Sequence, residues 1–221
     1  MKKGVKIPRY LRVAIPNAGK AVKEYSRGLC LDACCGDGNY LPYFRCTRLL
    51  GVDVNLYALK VAKTFRNAKA EFVLCDVSRL PFKPNQFNFI WCGQVIEHFN
   101  EPEGRKLIEE FERVCDEEAD IVIATTNFNK LYGFIQKKLL QSGERSWAWY
   151  HTFYDIKKIK KMGFEIVGYS ITTEVGIRET FFRYAPLRII GDFVASIFNP
   201  IAYFIIARKK VRKTRNISIK L

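Results

Sequence analysis

Short apolar runs alternating with helix-length amphipathic stretches limit the fold of this 221-residue chain more than any other feature. Residues 28–34 (GLCLDAC), 48–54 (RLLGVDV), 70–77 (AEFVLCDV), 87–93 (FNFIWCG) and 120–126 (DIVIATT) each read as a strand. Residues 56–68 and 102–116 have helical spacing between them; in the second, Leu107, Ile108, Phe111, Val114 and Cys115 fall on one face. Strands that are apolar at nearly every position must be covered on both sides, which requires a parallel sheet between two helical layers. After the fifth strand the rhythm changes. Residues 154–163 read as a helix closed by Gly163, followed by a strand over 164–172 and a last strand over 201–209. With no regular crossover helix between them, these two are expected as an antiparallel pair at the sheet edge. The prediction is an α/β fold of three layers, with seven mostly parallel strands and the last one antiparallel.

The formal net charge of +15 is concentrated at the two ends. Residues 1–27 hold eight Lys and Arg against Glu24 alone, and 208–221 hold seven with no acid, so the body is nearly neutral. Basic ends suit RNA or an anionic membrane surface, and equally a merely solvated terminus. The seven cysteines sit mostly inside apolar runs, which reads as reduced, buried thiols in a cytoplasmic protein. No leader is expected, because residues 1–30 lack a continuous apolar core. The apolar stretch 193–206 is broken by Asn199 and Pro200, too short for a membrane span. The expected organisation is one domain over 28–210, a basic segment over 1–27 and a basic tail over 211–221. Insertions over about 128–154 and 174–200 fall on the acceptor side.

Residues 29–41, LCLDACCGDGNYL, carry the first strand into a glycine turn, the place where an open α/β sheet binds ligands. Gly36 and Gly38 let the backbone approach a ligand with no Cβ in the way. Asp53 ends the second strand, where a carboxylate can accept from both ribose hydroxyls of an adenosine ligand. Leu41 stands where a dinucleotide turn has its third glycine. Asp32 and Asp37 flank the turn, repelling a pyrophosphate and favouring a cationic ligand end. Asp76, at the end of the third strand, can accept from an adenine amino group. S-adenosylmethionine, with an adenosine, a sulfonium, an amino group and no phosphate, matches this set better than a dinucleotide does. Cys34 and Cys35 are chain neighbours, poorly placed to close a disulfide or share a metal, and read as small residues filling a tight turn.

The ordered series LCLDACCGDGNYL, LLGVDVN, FVLCDVSRLPF, FNFIWCGQVIEHF and DIVIATTN resembles the class I S-adenosylmethionine-dependent methyltransferases over about residues 25–170. It is most similar to the branch of small-molecule and ubiquinone-biosynthesis enzymes. The resemblance implies a Rossmann-like fold and S-adenosylmethionine as cofactor. It places Asp32, Gly36 and Gly38 at the methionine end, Asp53 with Val54 at the ribose, and Asp76 with Val77 at the adenine. Cys92 and Gln94, ending the fourth strand, would face the methionine part. Two departures stand out: Cys34 replaces a glycine of the first motif, and Asn88 replaces an aspartate at the start of the fourth strand.

The only histidines, His98 and His151, fall in segments expected at the site rim, and either can serve as a general base or orient a loop by hydrogen bonding. Some related enzymes hold a divalent cation with Glu-x-x-Glu-His. Here the pattern reads Gln94-x-x-Glu97-His98, one charge short, so no metal is expected. Trp147, Trp149 and Tyr150 suit an acceptor pocket, the core or a dimer contact. Residues 187–198 have helical spacing that fits core packing, a lid or a membrane surface. The expected acceptor is a small or lipid-like molecule, with RNA as the alternative through the basic ends. An NAD-dependent oxidoreductase and a non-catalytic binding module remain as readings from other classes.

Overall fold

The computed structural model describes residues 16–65, 69–128, 152, 154–171 and 202–211. Its elements run α1 (Pro16–Tyr25), β1 (Leu29–Ala33), β2 (Arg48–Asp53), α2 (Leu56–Phe65), β3 (Ala70–Leu74), β4 (Phe87–Gly93), α3 (Glu101–Val114), β5 (Cys115–Phe128), α4 (Ile156–Lys161), β6 (Glu165–Ile171) and β7 (Ala202–Lys210). The strands form one seven-stranded sheet in the order β3-β2-β1-β4-β5-β7-β6. β1 to β5 pair in parallel, and β7 runs antiparallel to both β5 and β6. The last strand is therefore antiparallel as expected, inserted between β5 and the edge strand β6.

Alternate residues of each strand feed two cores. Ile90, Cys92, Ile121, Ile123, Ile205 and Ala207 face the layer that holds α3 and α4. Cys30, Phe89, Trp91, Val122, Ala124 and Ile206 face the layer that holds α1 and α2. Both faces are covered, which is why the strands read as unbroken apolar runs. α3 starts at a capping box: Asn100 accepts from Glu103 N–H at 3.0 Å, and the Glu103 carboxylate accepts from Asn100 N–H at 3.1 Å.

Three elements differ from the sequence expectation. α1 is a helix where only a basic segment was expected; Ala18, Ala21 and Val22 bury its inner face. β3 stops at Leu74, so Asp76 lies in the turn beyond the strand. α3 stops at Val114, and Cys115 already belongs to β5, which runs on to Phe128. Asn88 also explains itself. Its Oδ1 accepts from Leu29 N–H at 2.9 Å and its Nδ2 donates to Asp116 at 3.3 Å, so an aspartate there would confront a second carboxylate.

The described parts are tied together away from the carboxyl ends of the parallel strands by Asp120, which is 1% exposed. It accepts from Arg27, just before β1, and from Arg208 of β7 at 2.7 Å. Arg208 also lies over the Tyr25 ring at 4.7 Å and reaches Glu165 of β6 at 3.2 Å. One buried carboxylate therefore joins α1, β5, β6 and β7. Asp120→Asn should lower stability by about 3 kcal/mol, the low end for breaking a buried ion pair because Arg27 is half exposed. Urea unfolding measures it, and a loss below about 1 kcal/mol would show the network to be dispensable.

Candidate functional site

The carboxyl ends of β3, β2, β1 and β4 lie side by side, and the sequence-predicted acids converge there. In the register of the sheet, Asp32 sits between Gly51 of β2 and Trp91 of β4, flanking the crevice where the strand order reverses. Asp32 is 2% exposed, and its Oδ2 is buried with no hydrogen-bond partner. Burial, with Asp53 beside it, pushes its carboxyl up to about 8. A buried polar atom left open in this way points to a group still to come, and a carboxylate calls for a cation.

Asp53 is already committed on one side. Its Oδ2 accepts from Gly36 N–H at 2.9 Å and its Oδ1 from Asn55 N–H at 2.8 Å, so the carboxylate ties the end of β2 to the glycine turn. The turn closes through Gly38 N–H on Cys35 C=O at 2.9 Å and Cys35 N–H on Val52 C=O at 2.9 Å. Gly36 has φ +53, and a Cβ there would meet nothing within 4 Å, so that side of the turn is open. Cys35 is packing: its Sγ lies 2.9 Å from where a Cβ of Gly51 would stand, which only glycine permits. Asp37 is buried as well.

Asp76 is exposed, with its Oδ1 accepting from Ser78 N–H at 2.8 Å. Val77 beside it is buried, whereas Val54 is 65% exposed at the mouth of the crevice. Cys92 has no exposed surface; it lies in the core, close to Cys34 and Asp32, and burial raises its thiol well above the ordinary range. His98 is exposed in the short turn after β4, at the same rim. His151, Trp147, Trp149, Tyr150 and the stretch 187–198 lie outside the described residues.

Glu97, which the sequence suggested only as part of an incomplete metal pattern, has a definite place. It is 2% exposed and accepts from Thr125 Oγ1 of β5 at 3.0 Å. Its backbone carbonyl accepts from Thr152 N–H at 2.6 Å, which pins the chain before α4 to this rim. A charged residue between Ile96 and an exposed histidine was the available signal. Among the described residues, no helix is long and apolar enough to cross a membrane.

Residues 31–123 match the family model described as a methyltransferase domain. An uncharacterized protein of Methanocaldococcus jannaschii is 25% identical over 166 residues, covering 75% of this chain and 66% of its own length. The mouse protein named Probable tRNA methyltransferase 9B is 33% identical over 103 residues, 46% of this chain and 22% of its own. This chain thus spans less than two thirds of either relative. The solved geranyl diphosphate C-methyltransferase of Streptomyces coelicolor, in complex with Mg2+, geranyl diphosphate and S-adenosylhomocysteine, has the same fold. It superposes with a TM-score of 0.59 at 14% identity, covering 89% of this chain and 79% of that one.

Two non-glycine residues at the ends of the neighbouring strands β1 and β4 adopt the left-handed conformation, Cys34 at φ 58 and Gln94 at φ 60. Cys34, in place of a glycine, keeps glycine's backbone shape at a steric cost. Its half-buried thiol lies near Asp53, Asp32 and Asp76; burial first, then those charges, push it up to about 12, so it is a neutral filler. Gln94 is exposed at the rim, with its N–H bonded to Ala124 C=O at 2.7 Å. Cys34→Gly should therefore stabilise the ligand-free protein by about 1 kcal/mol, read by urea unfolding. A loss of stability instead would mean that thiol packing outweighs the backbone cost.

Proposed function

We propose that this chain is a class I S-adenosylmethionine-dependent methyltransferase that acts on a small-molecule or lipid-like acceptor, a reading supported by the match of residues 31–123 to a methyltransferase domain. One observation carries the cofactor reading: the buried, unpartnered Oδ2 of Asp32 at the crevice where a cationic ligand end would lie. When bound, S-adenosylmethionine supplies a methyl group on a positively charged sulfur, with an adenosine as part of the leaving group.

Asp32, with the open side of Gly36 and the turn to Gly38, would hold the amino acid end. Asp53, with Val54 beside it, would hold the ribose, and exposed Asp76 with buried Val77 the adenine. Cys34 and Gln94 shape the wall toward the methionine part, and Cys92, expected there from the sequence, packs behind it in the core. Methyl transfer is an in-line displacement, so the chain's task is mainly to align the reactants and exclude water. His98, exposed at the rim, would accept a proton from an acceptor that needs a base; His151 is the second candidate from the sequence. Glu97, fixed by Thr125, positions the turn that carries His98.

The acceptor reading rests on charge. Asp37, Asp53 and Asp76 lie at the carboxyl edge of the strands, which favours an uncharged or cationic acceptor group over a phosphate. The basic ends and the likeness to a protein named as a tRNA methyltransferase favour RNA as the second reading. Incubation with labelled S-adenosylmethionine and separated lipid, RNA and metabolite fractions distinguishes them, the label entering the lipid or metabolite fraction on the first reading. For the cofactor, calorimetry should show S-adenosylhomocysteine binding that Asp53→Ala weakens at least about tenfold. Binding of NADH with none of S-adenosylhomocysteine would replace the methyltransferase reading with an oxidoreductase one.

A further inference from the structure

The connection from β3 to β4, residues 75–86, crosses the sheet from the edge strand past β2 and β1 and contains no helix. It carries Asp76 and Val77 at its start. Chain of this kind is held by its contacts, and here most come from the last turn of α3. Arg113 donates from one guanidinium nitrogen to Phe82 C=O at 2.9 Å and from another to Leu80 C=O at 3.0 Å. Glu110, one turn earlier, accepts from Leu80 N–H at 2.8 Å. The two side chains also bind each other twice, both at 2.7 Å. The backbone completes the hold: Arg113 C=O accepts from Asn85 N–H at 3.2 Å and Val114 C=O from Gln86 N–H at 2.8 Å.

A surface Glu–Arg pair three residues apart on a helix is ordinarily worth little. This pair differs in what it grips. The planar guanidinium offers donors in a fixed fork, and two of them are spent on carbonyls that no strand or helix satisfies. Between Asp76 and Leu80, the first residue that the fork grips, there are only three residues, and Val77 and Leu80 are buried in the core below α3. Among the described residues Asp76 bonds within its own turn, accepting at its side chain from Ser78 N–H at 2.8 Å and at its backbone carbonyl from Arg79 N–H at 3.1 Å. The position of that turn is therefore set from two sides, by Cys75 N–H on Asp53 C=O at 3.1 Å before it and by what holds Leu80 after it.

We propose that Glu110 and Arg113 are positioning residues for cofactor binding, a clamp on the β3–β4 crossover that places Asp76 and Val77 against the adenine without touching the ligand. This rests on the reading of the crevice as an S-adenosylmethionine site. The clamp lies on the far end of α3 from the rim that carries Glu97 and His98, so it acts on affinity for the nucleoside and not on the acceptor.

Calorimetry of S-adenosylhomocysteine on the full chain and three variants tests it. Arg113→Gln, which removes the fork, and Asp76→Ala should each weaken binding about tenfold. The double variant should be weaker than Asp76→Ala alone by less than about threefold, because the clamp works through Asp76 and its turn. A purely structural role would lower thermal stability and leave affinity within about twofold of the wild type, or give fully additive losses, and either result overturns the clamp. If Arg113→Gln does not fold, Glu110→Gln, which retains shape and Arg113, is read in its place with the same criteria. A wild-type protein that fails to bind S-adenosylhomocysteine overturns the cofactor reading itself, and with it this inference; a wild type that binds beside an unaffected variant overturns only the clamp.

Discussion

A buried carboxyl oxygen with no hydrogen-bond partner, Oδ2 of Asp32, is what the carboxyl edge of this sheet leaves for a ligand to satisfy. Asp32 sits in the middle of a parallel sheet covered on both faces, with water excluded from its Oδ2. Burying a charge without compensation is so unfavourable that the group takes up a proton instead. The neighbouring carboxylate of Asp53 adds to that, because it is fixed nearby by the N–H groups of Gly36 and Asn55. The arrangement carries an electrostatic cost that a cationic ligand end would relieve.

The same logic explains how the site and the scaffold divide the chain. Charges that stabilise the fold lie away from the crevice and are fully paired, as Asp120 is between Arg27 and Arg208. At the carboxyl edge the open Gly36 turn and Asp32 Oδ2 lie together instead, with left-handed Cys34 and Gln94 beside them, whereas left-handed Asn85 and Glu118 lie at the other end of the strands. A buried polar atom left unmet is what a binding crevice leaves for its ligand to satisfy. α3 links the two ends, its first turn near the rim and its last turn gripping the chain that bears Asp76.

What could be read from the sequence follows from which signals are strong. The strands were legible because burial on both faces leaves an apolar run that little else produces; β4 spans residues 87–93 as its pattern indicated. α1 was not, because Ala18, Ala21 and Val22 are small and sit among lysines, so their hydropathy is weak although their burial is complete or nearly so. The nearness of Asp32 and Asp53 was legible from their places near strand ends, whereas Asp76 lies in the turn two residues beyond β3. The left-handed backbone of Cys34 was not, since nothing in a cysteine announces a positive φ. Glu110 and Arg113 looked like an ordinary solvated helix face, and only the three-dimensional path of residues 80–86 reveals what they grip. Asn88 was noticed as an oddity, and its reason, Asp116, lies 28 positions away on another strand.

The protonated, unpartnered Asp32 is the central claim, and counting protons during cofactor binding tests it most directly. In the empty protein the carboxyl holds its proton up to about pH 8, with Asp53, Cys34, Cys35 and Cys92 as its titratable neighbours. A cation beside it favours the carboxylate, so binding must release the proton below that pH, and affinity must rise as pH approaches it from below. Titration of S-adenosylmethionine at about pH 6.5, in two buffers of different ionisation enthalpy, should show release of about one proton in the wild type and almost none in Asp32→Asn. Tight binding to the wild type with no proton released would mean that Asp32 is already ionised in the empty crevice, and would contradict the claim.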